Sequence, residues 1–219
     1  MSIASRRRAI IGVQRAGGGI AISEIPSGTG IKIGTDMWIL VRKGPDFVEI
    51  LRDYTLPNRR AMYPEAPAIV TYVDSNVDVF LTTTFSSSLP AHVQSALYQH
   101  TINCITYDGS VSGVASVSRS IYELSESDLS NGSDIVNALV DYYSAANNNA
   151  ARAAHRESDD APVTWWLRDA YTGNINRIRT VTESGTVLYQ PVTVTRYVRP
   201  AMSLSSSTTV SLIDGVYSL

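Results

Sequence analysis

Two arginines each stand inside an apolar run in the last quarter of the chain, and they constrain the fold more than any other feature. The runs are residues 164–168 (TWWLR) and residues 197–202 (YVRPAM). Trp and Leu favour the protein interior, whereas a buried charge is costly unless it is paired and hydrogen-bonded. A guanidinium fork can offset that cost by tying irregular backbone together. We therefore expect a compact domain built around long loops, in which Arg168 and Arg199 donate to carbonyl groups or to a carboxylate.

The two neighbouring tryptophans extend this expectation. Adjacent side chains in a strand point to opposite faces, so the core requires only one of Trp165 and Trp166. The other is free to cover the loop side or a contact between subunits. We assign structural roles to Trp165, Trp166, Arg168 and Arg199.

Composition narrows the function classes. The chain has 219 residues, of which 44% are hydrophobic and 17% charged, so it can bury a core but is lightly charged for a soluble enzyme. The formal net charge of -2 is too small to indicate a strongly charged partner. Cys104 is the single cysteine, which excludes an internal disulfide and a zinc cluster built on cysteine, and we expect it to be buried.

The chain carries no signal for membrane insertion or secretion. No apolar run approaches the roughly 18 residues that a spanning helix needs. The apolar stretch at residues 9–13 is too short for the central part of a secretory signal peptide. We therefore expect no membrane insertion.

Residues 1–19 differ from the rest in charge. They contain no acidic residue and end in three glycines, which are typical of a flexible joint. The arginines of this segment are Arg6, Arg7, Arg8 and Arg15. We predict a basic arm, residues 1–19, on an acidic domain, residues 20–219.

A chain terminus is usually poorly ordered unless something holds it. We expect a neighbouring subunit to hold the arm; its own domain and nucleic acid are the alternatives. Clustered arginines without interleaved aromatic residues are a weak signature of nucleic-acid binding, so we expect no nucleic-acid partner.

The hydrophobic patterns predict short strands with helices in the middle of the chain. Residues 36–42 and 47–53 read as a hairpin. Helices are predicted at 76–85, 90–100 and 134–146. Strands are predicted in the last part at 164–168, 176–182, 186–190, 192–199, 202–204 and 210–217. Glu183-Ser184-Gly185 is a candidate tight turn.

Five motifs occur in the order found in a widespread bacterial and phage domain family of unassigned function. The motifs are Trp38-Ile39-Leu40-Val41 with residues 47–51, residues 80–85 with 89–97, residues 121–125 with Asp128-Leu129, Trp165-Trp166-Leu167-Arg168, and Val198-Arg199-Pro200-Ala201. The last two resemble the WWLRS and VRPAL strands of that family, whereas Asp128 stands where the family often has Glu. The resemblance covers residues 20–219. It implies an α+β, C-type-lectin-like domain with mixed short antiparallel strands, two or three helices and long loops.

That fold is related to phage receptor-binding tips, to the variable proteins of diversity-generating elements and to formylglycine-generating enzymes. The resemblance implies a rigid scaffold with an exposed, changeable face between the two arginine strands, although fold alone does not transmit function. The candidate binding residues in that segment are Tyr171, Asn174, Asn176, Arg177, Arg179 and Tyr189. Tyr, Asn and Arg are typical of adaptable binding surfaces. An ordinary solvated β-surface and a contact with a sister subunit are the alternatives.

Patterns typical of enzymes are sparse. The histidines are His92, His100 and His155, and the first two would share a helix face without an acidic cluster beside them. We expect no metal, no cofactor and no catalytic residue. There is no G-x-S-x-G elbow, no phosphate-binding loop and no Glu-Pro-Asn or Gln-Pro-Asp run for calcium. Formylglycine formation would need a cysteine pair, which this chain lacks.

We therefore expect a non-enzymatic structural protein of a phage virion, as a capsid decoration, tail or baseplate component that assembles in the host cytoplasm. Its partners would be other virion subunits, with a homo-oligomer expected, and a host-surface glycan or protein. A stand-alone carbohydrate- or protein-binding adhesin module is the first alternative. An enzyme of unknown class is the second.

Overall fold

The computed structural model describes residues 19–145 and 147–219. The arm arginines Arg6, Arg7, Arg8 and Arg15 lie outside the described residues. Strands account for 38% of the structure and helices for 20%, so the protein is mostly β. The predicted α+β, C-type-lectin-like class is therefore wrong. The helices are short, and long parts of the chain between elements have no regular structure.

The described residues contain fifteen strands and five short α-helices. The strands are β1 (Ile20–Ala21), β2 (Gly30–Ile33), β3 (Asp36–Lys43), β4 (Phe47–Arg52), β5 (His100–Tyr107), β6 (Ser112–Arg119), β7 (Ile121–Tyr122), β8 (Ala154–His155), β9 (Pro162–Val163), β10 (Trp165–Ala170), β11 (Arg177–Val181), β12 (Val187–Pro191), β13 (Ala201–Ser205), β14 (Thr209–Ile213) and β15 (Val216–Ser218). The helices are α1 (Asn76–Phe80), α2 (Ser86–Ser88), α3 (Ala91–Ala96), α4 (Asp134–Tyr143) and α5 (Asn148–Arg152).

Eight strands form one mixed sheet in the order β1-β14-β15-β2-β3-β4-β13-β7. Its pairings are antiparallel except that of β15 with β2. Three further sheets are smaller: β10-β11-β12, β5-β6 and β8-β9. Strands from opposite ends of the described chain are thus interleaved in the large sheet.

The hairpin predicted from residues 36–42 and 47–53 is present as β3–β4, and it lies in the interior of the large sheet. Trp38, Ile39, Leu40 and Val41 are all buried, which reflects a central strand covered by α4. Gly44 allows the turn, since a Cβ there would lie 2.4 Å from the Phe47 ring.

Helix boundaries follow local capping chemistry. The Ser133 hydroxyl accepts a hydrogen bond from the Val136 N–H and begins α4. The helix ends at Ser144, which has a left-handed φ of 48°. α1 and α2 are joined by a π-helical stretch, Leu81–Phe85, so the predicted helix at residues 76–85 runs three residues further.

Three predicted elements differ from the structure. The helix predicted at residues 90–100 ends at Ala96, so His100 opens β5 and does not share a helix face with His92. The strand predicted at 210–217 is a hairpin, because Asp214 and Gly215 turn the chain with φ values of 50° and 78°. Residues 192–199 form no strand but make isolated bridges.

Arg199 is completely buried and connects three separate parts of the chain. Its Nε donates to the Arg52 carbonyl at 2.9 Å, and its Nη2 donates to the Asp53 carbonyl at 3.2 Å and the Tyr143 hydroxyl at 2.8 Å. Its guanidinium also lies 5.4 Å from the Trp165 ring. The group thus joins the end of β4, α4 and β10.

Arg168 makes a second buried connection. Its Nε donates to the Asn103 carbonyl at 2.8 Å and its Nη1 to the Glu123 carbonyl at 2.8 Å. The same Nη1 lies 2.9 Å from the Asp128 carboxylate. Trp165 and Trp166 are both completely buried, because the strand β10 that carries them is covered on both faces.

We predict that Arg199→Ala lowers the free energy of unfolding by about 3–5 kcal/mol. The substitution leaves carbonyl groups of Arg52 and Asp53 without their donors in the core. Urea unfolding measures the change, with Lys32→Ala in β2 as an exposed control that we expect to shift stability by no more than about 0.5 kcal/mol. Equal stability of Arg199→Ala and the wild type would contradict the structural role.

Candidate functional site

The three-stranded sheet β10-β11-β12 carries the predicted binding residues. In β11, Ile178 and Thr180 are buried, whereas Arg177 and Arg179 are partly exposed. This alternation directs both arginines away from the core. Arg179 pairs in register with Tyr189 of β12, so the two side chains lie on the same face.

Four predicted residues, Tyr171, Arg177, Arg179 and Tyr189, form one contact group that we call the Tyr–Arg cluster. The rings of Tyr171 and Tyr189 stack with their centroids 3.9 Å apart and an interplanar angle of 19°. The Arg177 guanidinium lies 5.0 Å from the Tyr189 ring, and that of Arg179 lies 5.0 Å from the Tyr171 ring. These cation–π contacts hold the rings in one arrangement.

The turn between β10 and β11 supports the cluster from one side. A Cβ at Gly173 would lie 2.7 Å from the Tyr171 ring, so glycine there lets the ring pack against the backbone. Asn174 closes the turn by accepting the Asn176 N–H at 2.9 Å. Both asparagines are exposed beside the cluster. All six predicted residues therefore belong to one sheet and its turn.

The cluster is also fixed to the interior through Glu126. Arg179 Nε lies 2.9 Å from the Glu126 carboxylate. The Glu126 N–H in turn donates to the buried Asp169 carboxylate at 2.7 Å, whose other oxygen accepts the Ile105 N–H at 2.9 Å. This chain of contacts limits the motion of the Arg179 side chain.

The interior beneath β10 holds a group of buried charges. Asp128 lies 2.9 Å from Arg168 and 3.1 Å from Arg42. Burial alone would raise the pKa of Asp128, but these guanidinium groups and the Ser125 hydrogen bonds together lower it. Burial raises the pKa of Glu123 well above its usual value, against the opposing effect of the Arg199 N–H and of nearby guanidinium groups.

One arrangement resembles catalytic chemistry but is closed. His100 Nε2 lies 3.0 Å from the Ser203 hydroxyl and 2.8 Å from the Tyr122 hydroxyl. Burial lowers the pKa of His100, and the charges of Arg42 and Arg168 act in the same direction. Ser203 is completely buried in β13, between β4 and β7, so its hydroxyl cannot meet a substrate in this conformation.

The described residues contain neither a candidate metal site nor a candidate membrane-spanning helix. Within residues 19–145 and 147–219, no three His, Cys, Asp or Glu side chains come together as a metal-binding group. In the same part of the chain, no helix is long and apolar enough to span a bilayer. Cys104 is buried, as predicted.

Comparison with known families gives one match. Residues 46–206 match the model of a family described as Domain of unknown function (DUF6273), which is well over half of the chain. The chain belongs to this family. The DUF6273 match spans β4 to β13, so it includes the Tyr–Arg cluster and both buried arginine connections. No curated protein and no solved structure matches the chain.

Several site residues escaped sequence reasoning. Glu126 is the acidic partner of Arg179, and Gly173 supports Tyr171, yet neither stands in a recognisable motif. Arg59, Arg156 and Arg196 converge on one pocket although they are far apart in sequence. Long-range pairing of this kind leaves no local periodic signal.

We predict that Asp128→Asn destabilises the protein by about 3 kcal/mol at neutral pH. Because the folded-state pKa of Asp128 lies below its ordinary value of 3.8, its carboxylate stabilises the fold above that pH. The contribution is lost as the pH falls through the folded-state pKa. Chemical unfolding of both proteins between neutral pH and strong acid tests this, and a stability difference that stays constant with pH would contradict it.

Proposed function

We propose that this protein acts by binding and not by catalysis, and that the Tyr–Arg cluster is its recognition surface. The stacked and cation-capped arrangement of Tyr171 and Tyr189 is the observation that supports this most. Side chains already held in place lose less conformational entropy when they meet a partner. Aromatic and arginine side chains also supply most of the binding energy in typical interfaces.

The chemistry of the cluster favours a polar partner. Within the described residues, the hydroxyls of Tyr171 and Tyr189 have no hydrogen-bond partner, and Arg177 forms no ion pair. Exposed Asn174 and Asn176 add amide donors and acceptors next to them. A host-surface glycan, or a protein surface rich in carbonyl and hydroxyl groups, matches this set of donors.

A virion setting is part of the proposal. The order of the five sequence motifs, which resemble a family found in phages, supports a structural protein of the capsid, tail or baseplate. The four arginines of residues 1–19 support an anchoring arm, with other virion subunits or further copies of this chain as partners. On this proposal the protein resides in the virion after assembly in the host cytoplasm. A stand-alone adhesin would use the same cluster without the arm.

Within residues 19–145 and 147–219 no catalytic arrangement opens to solvent, and this supports the proposal of a non-enzymatic role. The guanidinium donors of the buried Arg168 and Arg199 already form hydrogen bonds with backbone carbonyls, and Arg168 also pairs with a carboxylate. They are therefore not free to bind a substrate. In the His100–Ser203 contact, Ser203 is fully buried within β13 and its hydroxyl does not reach solvent. Turnover of any small molecule by the purified protein would contradict the proposal.

We predict that the Tyr189→Ala variant binds a glycan array or host cells at least about thirtyfold more weakly than the wild-type protein does. Removing one ring breaks the stack and releases Arg177, which costs about 2 kcal/mol of binding free energy or more. Leu188→Ala is the matched control, because this neighbour in β12 is 46% exposed but points to the opposite face. Equal binding by both variants would reject the Tyr–Arg cluster as the recognition surface.

We predict that deletion of residues 1–19 lowers the number of subunits in the oligomer. Size-exclusion chromatography with light scattering measures its molar mass. The deletion removes all four arm arginines but no described strand. The circular dichroism spectrum should keep its β signature, which serves as the control for folding. A wild-type monomer whose behaviour does not change on deletion would contradict anchoring, and it would favour the adhesin alternative if glycan binding persists.

A further inference from the structure

The structure contains a pocket of about 310 Å³ whose lining includes no residue of the Tyr–Arg cluster. Residues 162–164 and Glu183, which lies in the turn between β11 and β12, are among the residues that line it. Its volume falls at the lower end of the range found for small-molecule sites. Arg59, Arg196 and Tyr197 also line it, which makes the lining mostly polar.

Two of the lining arginines have no acidic partner in the described part of the chain. Arg196 donates to neutral acceptors, namely the Thr195 carbonyl at 2.9 Å and the Gln190 amide oxygen at 3.2 Å. Arg59 is exposed, and its guanidinium lies 5.8 Å from the Tyr197 ring centroid. Their two positive charges are therefore available to an anion.

The third arginine is paired with an acidic residue and contacts Tyr197. Arg156 donates to both oxygens of the Asp159 carboxylate, at 3.0 Å and 2.6 Å. Its Nη1 also donates to the Tyr197 hydroxyl at 3.3 Å. The hydrogen bond from Arg156 positions the Tyr197 ring. Because the Asp159 carboxylate balances the charge of Arg156, this arginine contributes less than Arg59 and Arg196 to the net charge of the pocket. Glu183 is exposed and supplies the opposing negative charge.

We propose that this pocket binds a saccharide-sized organic oxyanion, whose carboxylate or phosphate is held by Arg59 and Arg196. A guanidinium fork matches the paired oxygens of either group. A bare phosphate would fill only part of a pocket of about 310 Å³, so the ligand carries a polar organic body as well. The chain as a whole is acidic, with a sequence pI near 5.9, so this concentration of arginines runs against the average charge.

Isothermal titration calorimetry with the full-length protein tests the proposal. Glucuronate and glucose 6-phosphate are the probes, and they distinguish a carboxylate from a phosphate as the recognised group. Glucose is the neutral analogue. We expect saturable binding of at least one anion, and binding of glucose that is at least about tenfold weaker.

Substitutions of the lining residues test whether the anion binds in this pocket. Arg59→Gln and Arg196→Gln should each weaken anion binding by at least about tenfold, since each removes a charged hydrogen bond. Glu183→Gln should strengthen it by removing repulsion. Lys32→Gln, an exposed residue of β2, loses the same unit charge elsewhere and should have no effect.

Three results would overturn the proposal: no anion binds better than glucose, Lys32→Gln weakens binding as much as Arg59→Gln does, or Arg59→Gln and Arg196→Gln leave the affinity unchanged. Melting temperatures of the variants verify that they fold. The site shares no residue with the Tyr–Arg cluster, so Tyr189→Ala should leave anion binding intact. Failure of this inference is therefore distinguishable from failure of the proposed function.

Discussion

The rest of the structure depends on buried guanidinium groups that satisfy backbone carbonyls. Arg199 and Arg168 connect the end of β4, α4, β5 and β10, which hydrogen bonds of a regular sheet do not join. A buried carbonyl without a donor costs free energy comparable to a lost hydrogen bond. The arginine forks let long irregular segments pass through the interior without that cost. They explain how a chain with so much loop can surround one continuous hydrophobic core.

Sequence reasoning located the strands whose signals are local. The β3–β4 hairpin and the β11–β12 turn at Gly185 were predicted because short apolar, strand-forming runs flank a glycine-containing turn. The overall class was wrong, because the resemblance carried a lectin-like α+β expectation while β6 and the β14–β15 hairpin went unnoticed. In β6 the residues are small and largely exposed, so no apolar alternation marks them. The sequence from residue 210 to 217 fits one strand as well as it fits a hairpin, because only Asp214-Gly215 interrupts its apolar run.

The sequence predicted which residues belong to the candidate site, but it did not predict the contacts among them. Residue type and position suggested Tyr171, Arg177, Arg179 and Tyr189, and the structure brings these four side chains together. Register explains the result, because Arg179 and Tyr189 are opposite in neighbouring strands. The acidic partner Glu126 comes from a different part of the chain, and only the three-dimensional fold reveals it.

The interleaving of the large sheet has a consequence for biosynthesis. β13 lies between β4 and β7, and the β14–β15 pair lies between β1 and β2. When the first four strands leave the ribosome, β2, β3 and β4 can pair with one another, but β1 and the outer edges of β2 and β4 still lack β14, β15 and β13. Loops of more than a hundred residues must close before the sheet is complete. Contacts between such distant segments slow folding and leave strand edges open in the meantime. The nascent chain is therefore more prone to aggregation before residues 201–218 have been translated than after the large sheet has closed.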